Sequence, residues 1–103
     1  MVRDDLWIGL AHLVPVRGND SLEGAAGGFS HVIAAAASEG RFRELVRAAA
    51  TSHRFTLMKL DQVRRLQEHL ASEELSGELA QIACQVAADE VLRFATFYTY
   101  DSH

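Results

Sequence analysis

The stretch Phe29-Ser30-His31-Val32-Ile33-Ala34-Ala35-Ala36-Ala37 decides the fold. Its alanines favour a helix, yet Phe29, His31 and Ile33 alternate with Ser30, Val32 and Ala34, which is the two-residue period of a strand. Ser38-Glu39 follows with the chemistry of a helix N-cap and an acidic first turn. We read 29–37 as a strand. Read as a helix, it would shorten the element order to β-α-β-α-β, still a two-layer α+β sandwich.

Working outward, residues 6–14 are apolar, rich in β-formers and stopped by Pro15, and so predict another strand. Between the two strands lies a punctuated stretch, 15–28, with the only proline and four of the seven glycines, which reads as a long loop. Downstream, Phe42, Leu45, Val46 and Ala49 fall on one face of a helix over 39–52, with Arg43, Glu44 and Arg47 on the other. Residues 55–60 predict a strand, and 61–70 fit either its extension or a turn. Ser72-Glu73-Glu74 predicts the cap of a second helix that buries Leu75, Leu79, Ile82, Ala83 and Val86. Residues 91–100 have strand composition, with Leu92, Phe94, Tyr98 and Tyr100 on one side and Arg93, Ala95, Phe97 and Thr99 on the other.

The order is then β-β-α-β-α-β within one α+β domain spanning 1–103. About four mainly antiparallel strands carry two amphipathic helices on one face. In that arrangement Trp7, Gly9, Ala11, Leu13, Val32, Ala34, Ala36 and Phe97 form a second, apolar face that the helices leave open. Contiguous apolar surface of that kind marks interfaces, so Trp7, Ala11, Val32, Ala34 and Phe97 are candidate contacts of a homodimer.

The charge pattern narrows the partners. With 10 Lys and Arg against 14 Asp and Glu, the chain carries a formal charge of −4, and its arginines are dispersed. Phosphate binding needs clustered cations, so nucleic acid is not an expected partner. A basic protein surface is. The apolar run at 6–14 is shorter than a membrane span and lacks a cleavage signature, which predicts a cytoplasmic protein without a membrane partner. The single cysteine, Cys84, excludes an internal disulfide and a thiol-based zinc site. Its alanine-rich surroundings predict a buried, inert thiol.

Three groups of residues could bind a ligand. Gly18-Asn19-Asp20-Ser21 combines a permissive backbone with short hydrogen-bonding side chains, without the spacing of a P-loop or a dinucleotide fingerprint. If Val14 lies opposite Phe29 in a hairpin, His12 faces His31, a pair able to pass a proton or orient a ligand. No third ligand accompanies them, so neither a metal nor another cofactor is expected. Tyr98 and Tyr100 could orient a ligand through their hydroxyls. No catalytic motif is present, so the balance leans away from an enzyme.

The chain's size and β/α alternation resemble the ferredoxin-like and dimeric α+β-barrel groups, which include cofactor-independent monooxygenases and many small binding proteins. The resemblance is one of architecture and transfers no site residue. The first expectation is a small acidic interaction or accessory protein, such as an inhibitor of the immunity or anti-defence type. The alternative is a small dimeric, cofactor-independent enzyme or ligand-binding protein for an apolar molecule, with His12, His31, Tyr98 and Tyr100 as its polar groups.

Overall fold

The computed structural model describes residues 5–19, 25–72 and 74–100. The chain runs β1 (Leu6–Pro15), β2 (Gly27–Ala35), α1 (Glu39–Ser52), β3 (Phe55–Arg65), α2 (Leu66–Ser72), α3 (Gly77–Asp89), β4 (Arg93–Phe94) and β5 (Tyr98–Tyr100). It is an α+β fold with an antiparallel sheet in the order β3-β1-β2-β4, and β5 also pairs with β2. The alternation at 29–35 prevails over the alanines: β2 is a strand, and Ser38 caps α1 by accepting from the Arg41 amide at 3.2 Å. The stretch 61–70 divides, its first half completing β3 and its second forming most of α2. Ser76, four residues beyond the expected cap, begins α3 by accepting from the Leu79 amide.

The hairpin register differs from expectation by two residues. His12 faces Phe29, and His31 faces Leu10. A slip of two preserves the face of every side chain, because strands alternate with period two. Leu6, Ile8, Leu10, His12 and Val14 therefore share one side of the sheet with Phe29, His31, Ile33 and Ala35.

The expectation that both helices lie on one face is corrected. Trp7, Ala11, Leu13, Val32, Ala34 and Ala36 form a core with Phe42, Val46 and Ala50 of α1. Leu6, Ile8 and Ile33 form a second core with Leu66 of α2 and Leu79, Ile82, Ala83 and Val86 of α3. Neighbouring residues of one strand belong to different cores, so α1 covers one face while α2 and α3 cover the other. Three layers replace the expected two-layer, ferredoxin-like arrangement. Small residues on the α1 side let that helix approach: a Cβ on Gly9 would stand 3.0 Å from Leu60 Cδ1 and 3.3 Å from Phe42 Cε2. Trp7 is held there by its indole N–H, which donates to the Ala36 carbonyl at 3.0 Å.

Irregularities shape both sheet edges. The β1–β3 register shifts twice, and Gln62 beside the first shift adopts a left-handed φ of 54°. Arg43 of α1 donates to the Leu60 carbonyl at 3.1 Å. On the other edge, β4 and β5 run along β2 with pairings that differ by one residue. The extra residue falls within 95–97, where the buried Ser30 hydroxyl shares its proton between the Ala95 carbonyl at 2.9 Å and the His31 carbonyl at 3.0 Å. This bulge turns the strand over. Phe94 pairs with Val32 on the α1 side, whereas Tyr98 pairs with Phe29 on the opposite side. The expectation that Phe94, Tyr98 and Tyr100 share a face is thereby corrected.

Candidate functional site

Helix length fixes where the sheet stays bare. The 13 residues of α3 span about 20 Å at 1.5 Å per residue, while the ten of β1 reach about 33 Å. The helices on that face pack over Leu6, Ile8 and Ile33 and leave the far end of the strands open. There His12, Phe29 and Tyr100 meet and Tyr98 pairs with Phe29, with Phe29 39% exposed, Tyr98 67% and Tyr100 38%.

The rings form an ordered group. His12 stacks on Phe29 with centroids 4.5 Å apart and planes 16° apart. Its Nε2 lies 2.6 Å from the Tyr100 hydroxyl, and the Tyr100 ring leans on Phe29 at 5.9 Å. The phenol donates to an unprotonated Nε2 and accepts from a protonated one. Gly27 makes room for it: a Cβ there would stand 2.5 Å from the Tyr100 hydroxyl oxygen and 3.0 Å from the Leu13 carbonyl. Of the sequence-predicted residues, His12 and Tyr100 are thus brought into contact. Phe29 was not among them, and its parity with His31 was the available signal. Close by, Lys59 pairs with Asp61 at 3.4 Å.

His31 and Tyr98 border an adjoining open hollow of about 260 Å³, shared with His69, Glu74, Glu78 and Thr96. Several of its polar groups have partners. Glu78 accepts from the Thr96 amide and, at 2.8 Å, from the Thr96 hydroxyl. The amide chiefly, and then the hydroxyl, hold the Glu78 carboxyl below its ordinary range. The buried His69 ring lies with Nδ1 2.7 Å from Arg64 Nη2. Among the described residues, no group of three His, Cys, Asp or Glu is arranged to hold a metal ion.

The remaining candidates have other settings. Asn19 donates its amide to the carbonyls of Arg54 at 2.7 Å and His53 at 3.2 Å, stitching the end of β1 to the turn before β3. Asp20 and Ser21 lie outside the described residues. Trp7, Ala11, Val32 and Ala34 are buried, and Phe97 packs against the same core, so the surface from which a homodimer was argued is interior. Cys84, expected to be buried, is exposed on α3. None of the described helices is long and apolar enough to cross a membrane. The chain gives no significant match to any family model, curated protein or solved structure with which it was compared.

Proposed function

We propose that the chain is a small acidic interaction protein that docks a protein partner on the open, aromatic end of its sheet. One observation carries this reading: Phe29, Tyr98 and Tyr100 stand exposed together on strands, with His12 locked among them by stacking and a hydrogen bond. Tyr and Phe are enriched in the desolvated centres of protein interfaces. Rings already held in place lose little freedom on binding, which favours affinity. The net charge of −4 suits a basic partner, which would be steered toward it at long range. An accessory subunit, or an inhibitor of the immunity or anti-defence type working in the cytoplasm, fits these properties.

Self-association through Trp7, Val32 and Phe97 is not part of this reading, since those side chains lie beneath α1 or pack against its core. The enzyme alternative required His12, His31, Tyr98 and Tyr100 around one cavity. His12 and Tyr100 occupy the open face, and Tyr98 stands between that face and the hollow beside α3 that His31 borders.

The test is capture from the native host with mass spectrometry, using the tagged chain and its Phe29→Asp and Tyr98→Asp variants. The expected result is a partner bound by the wild-type chain and weakened by roughly 30-fold or more in each variant, the scale of an interface hot spot. Circular dichroism melts would establish that both variants fold. Capture of the same partner by a folded Phe29→Asp, Tyr98→Asp double variant would overturn the proposal, as would failure of the wild-type chain to capture any protein.

A further inference from the structure

We infer that a second site, where the C-terminal end of α1, the β4 edge and α3 come together, binds a flat, uncharged aromatic small molecule carrying a hydroxyl or carbonyl group. The site is an open hollow of about 420 Å³, within the range of about 300–1,000 Å³ for small-molecule sites. Phe55, Phe94 and Phe97 form its wall, joined by Leu13 and Leu92. The Phe55 and Phe97 rings stack with centroids 5.7 Å and planes 21° apart, and Phe94 lies 6.2 Å from Phe97. His53, at the C-cap of α1, turns edge-on to Phe94 at 6.5 Å. Such a wall favours a planar ring, because offset and edge-to-face contacts add to simple burial.

Charge selects among planar molecules. Arg93 borders the hollow, but Asp89 closes on it with two hydrogen bonds of 2.6 and 2.7 Å. The guanidinium is thus neutralised, and either an anion or a cation would meet the opposing member of the pair at short range. The groups left for a ligand are the Gln85 amide and the His53 ring. Among the described residues no hydrogen bond engages the Gln85 amide or the His53 ring, both of which border the hollow. The amide offers donor and acceptor, and a neutral imidazole does the same. A ligand that stacks on Phe97 and shares hydrogen bonds with Gln85 and His53 satisfies every surface the site presents. The site is separate from the open sheet end, since none of His12, Phe29, Tyr98 and Tyr100 lines it.

The experiment uses three probes against the full isotope-labelled chain, read by amide NMR shifts: 2-naphthol, its anionic analogue naphthalene-2-sulfonate, and the non-planar cyclohexanol. Saturable binding of 2-naphthol is expected, with shifts concentrated at His53, Gln85, Phe94 and Phe97. The other two probes should bind at least roughly tenfold more weakly. Phe97→Leu should weaken naphthol binding by about tenfold or more, the scale of a lost aromatic contact. Gln85→Leu, a change at an exposed helix position that leaves the core intact, should weaken it by a comparable factor, while Met58→Ala on β3 should leave it unchanged. Unsaturable naphthol shifts, shifts centred elsewhere, equal binding of the sulfonate, or wild-type affinity in Gln85→Leu would each overturn the proposal.

Discussion

The side of the sheet that carries α3 has two ends built from the same strands, and they have opposite fates. At one end Leu6, Ile8 and Ile33 are at most 2% exposed, packed beneath α2 and α3. At the other, Phe29 and Tyr100 remain more than a third exposed, although β1 and β2 continue with the same alternation. Strand patterning therefore marks which side chains share a face. Whether that face is sheltered depends on how far the second layer reaches. Aromatic rings left beyond that reach are positioned by the sheet without being consumed by the core, a suitable state for a binding surface.

The largest effect should come from cutting into the covered end. Ile8→Ala should cost about 2–5 kcal/mol in urea unfolding, as removal of a buried aliphatic side chain does. Phe29→Ala at the open end should cost less than about 1 kcal/mol by the same measurement. Equal losses would abolish the distinction between the ends. Ser30→Ala comes next, at about 1–3 kcal/mol, because it deprives the Ala95 carbonyl of its side-chain donor at the bulge. The NMR signals of the Tyr98 and Tyr100 rings should move with it, since the bulge is what turns them toward the open end.

A smaller change, of opposite sign, concerns the C-terminal end of the helix that covers the sheltered end. Glu90 terminates α3 with a left-handed φ of 61°, a conformation glycine adopts without strain. Glu90→Gly should raise stability by about 0.5–1 kcal/mol in urea unfolding. The smallest effect concerns the Asp89–Arg93 clamp, which spans Glu90. The Arg93 guanidinium, followed by the Val91 amide, lowers the Asp89 carboxyl to about 2 from its ordinary 3.8. A lowered acid contributes stability in full above its unfolded value and loses it as pH falls through the folded one. Wild type should therefore lose this contribution between about pH 3.8 and pH 2, and Asp89→Asn should show a flatter pH dependence there.

Much of this arrangement is legible in the sequence, and the exceptions have physical causes. The strand at 29–35 follows from alternation, and both long helices follow from their apolar stripes. The choice of face for each helix does not, because a stripe on a helix states that it needs a partner surface without naming which. The strands held the better clue: both parities of β1 and β2 are apolar near Leu6 and Ala35, the pattern of a sheet covered on both sides. The candidate pair of histidines was displaced by hairpin geometry, since the connection between Pro15 and Gly27 is longer than the loops of about two to five residues that fix a register. His12 nevertheless stayed on its predicted side. The bulge was invisible because its cause, a hydroxyl at Ser30 bonding 65 residues away, is a tertiary contact.

That one unpaired residue also constrains how the sequence can change over generations. Substitution can alter the chemistry of Phe94 or Tyr98 singly, but ironing out the bulge with every residue kept would slip Tyr98 from Phe29 to Gly28 and carry the tyrosines to the α1 side. Loss of one residue within 95–97 has the contrary outcome: it evens the pairing along β2 and leaves Phe94 opposite Val32 and Tyr98 opposite Phe29. Lineages can therefore keep the present surface either with the bulge or with one residue fewer, but not with the same length in an even register.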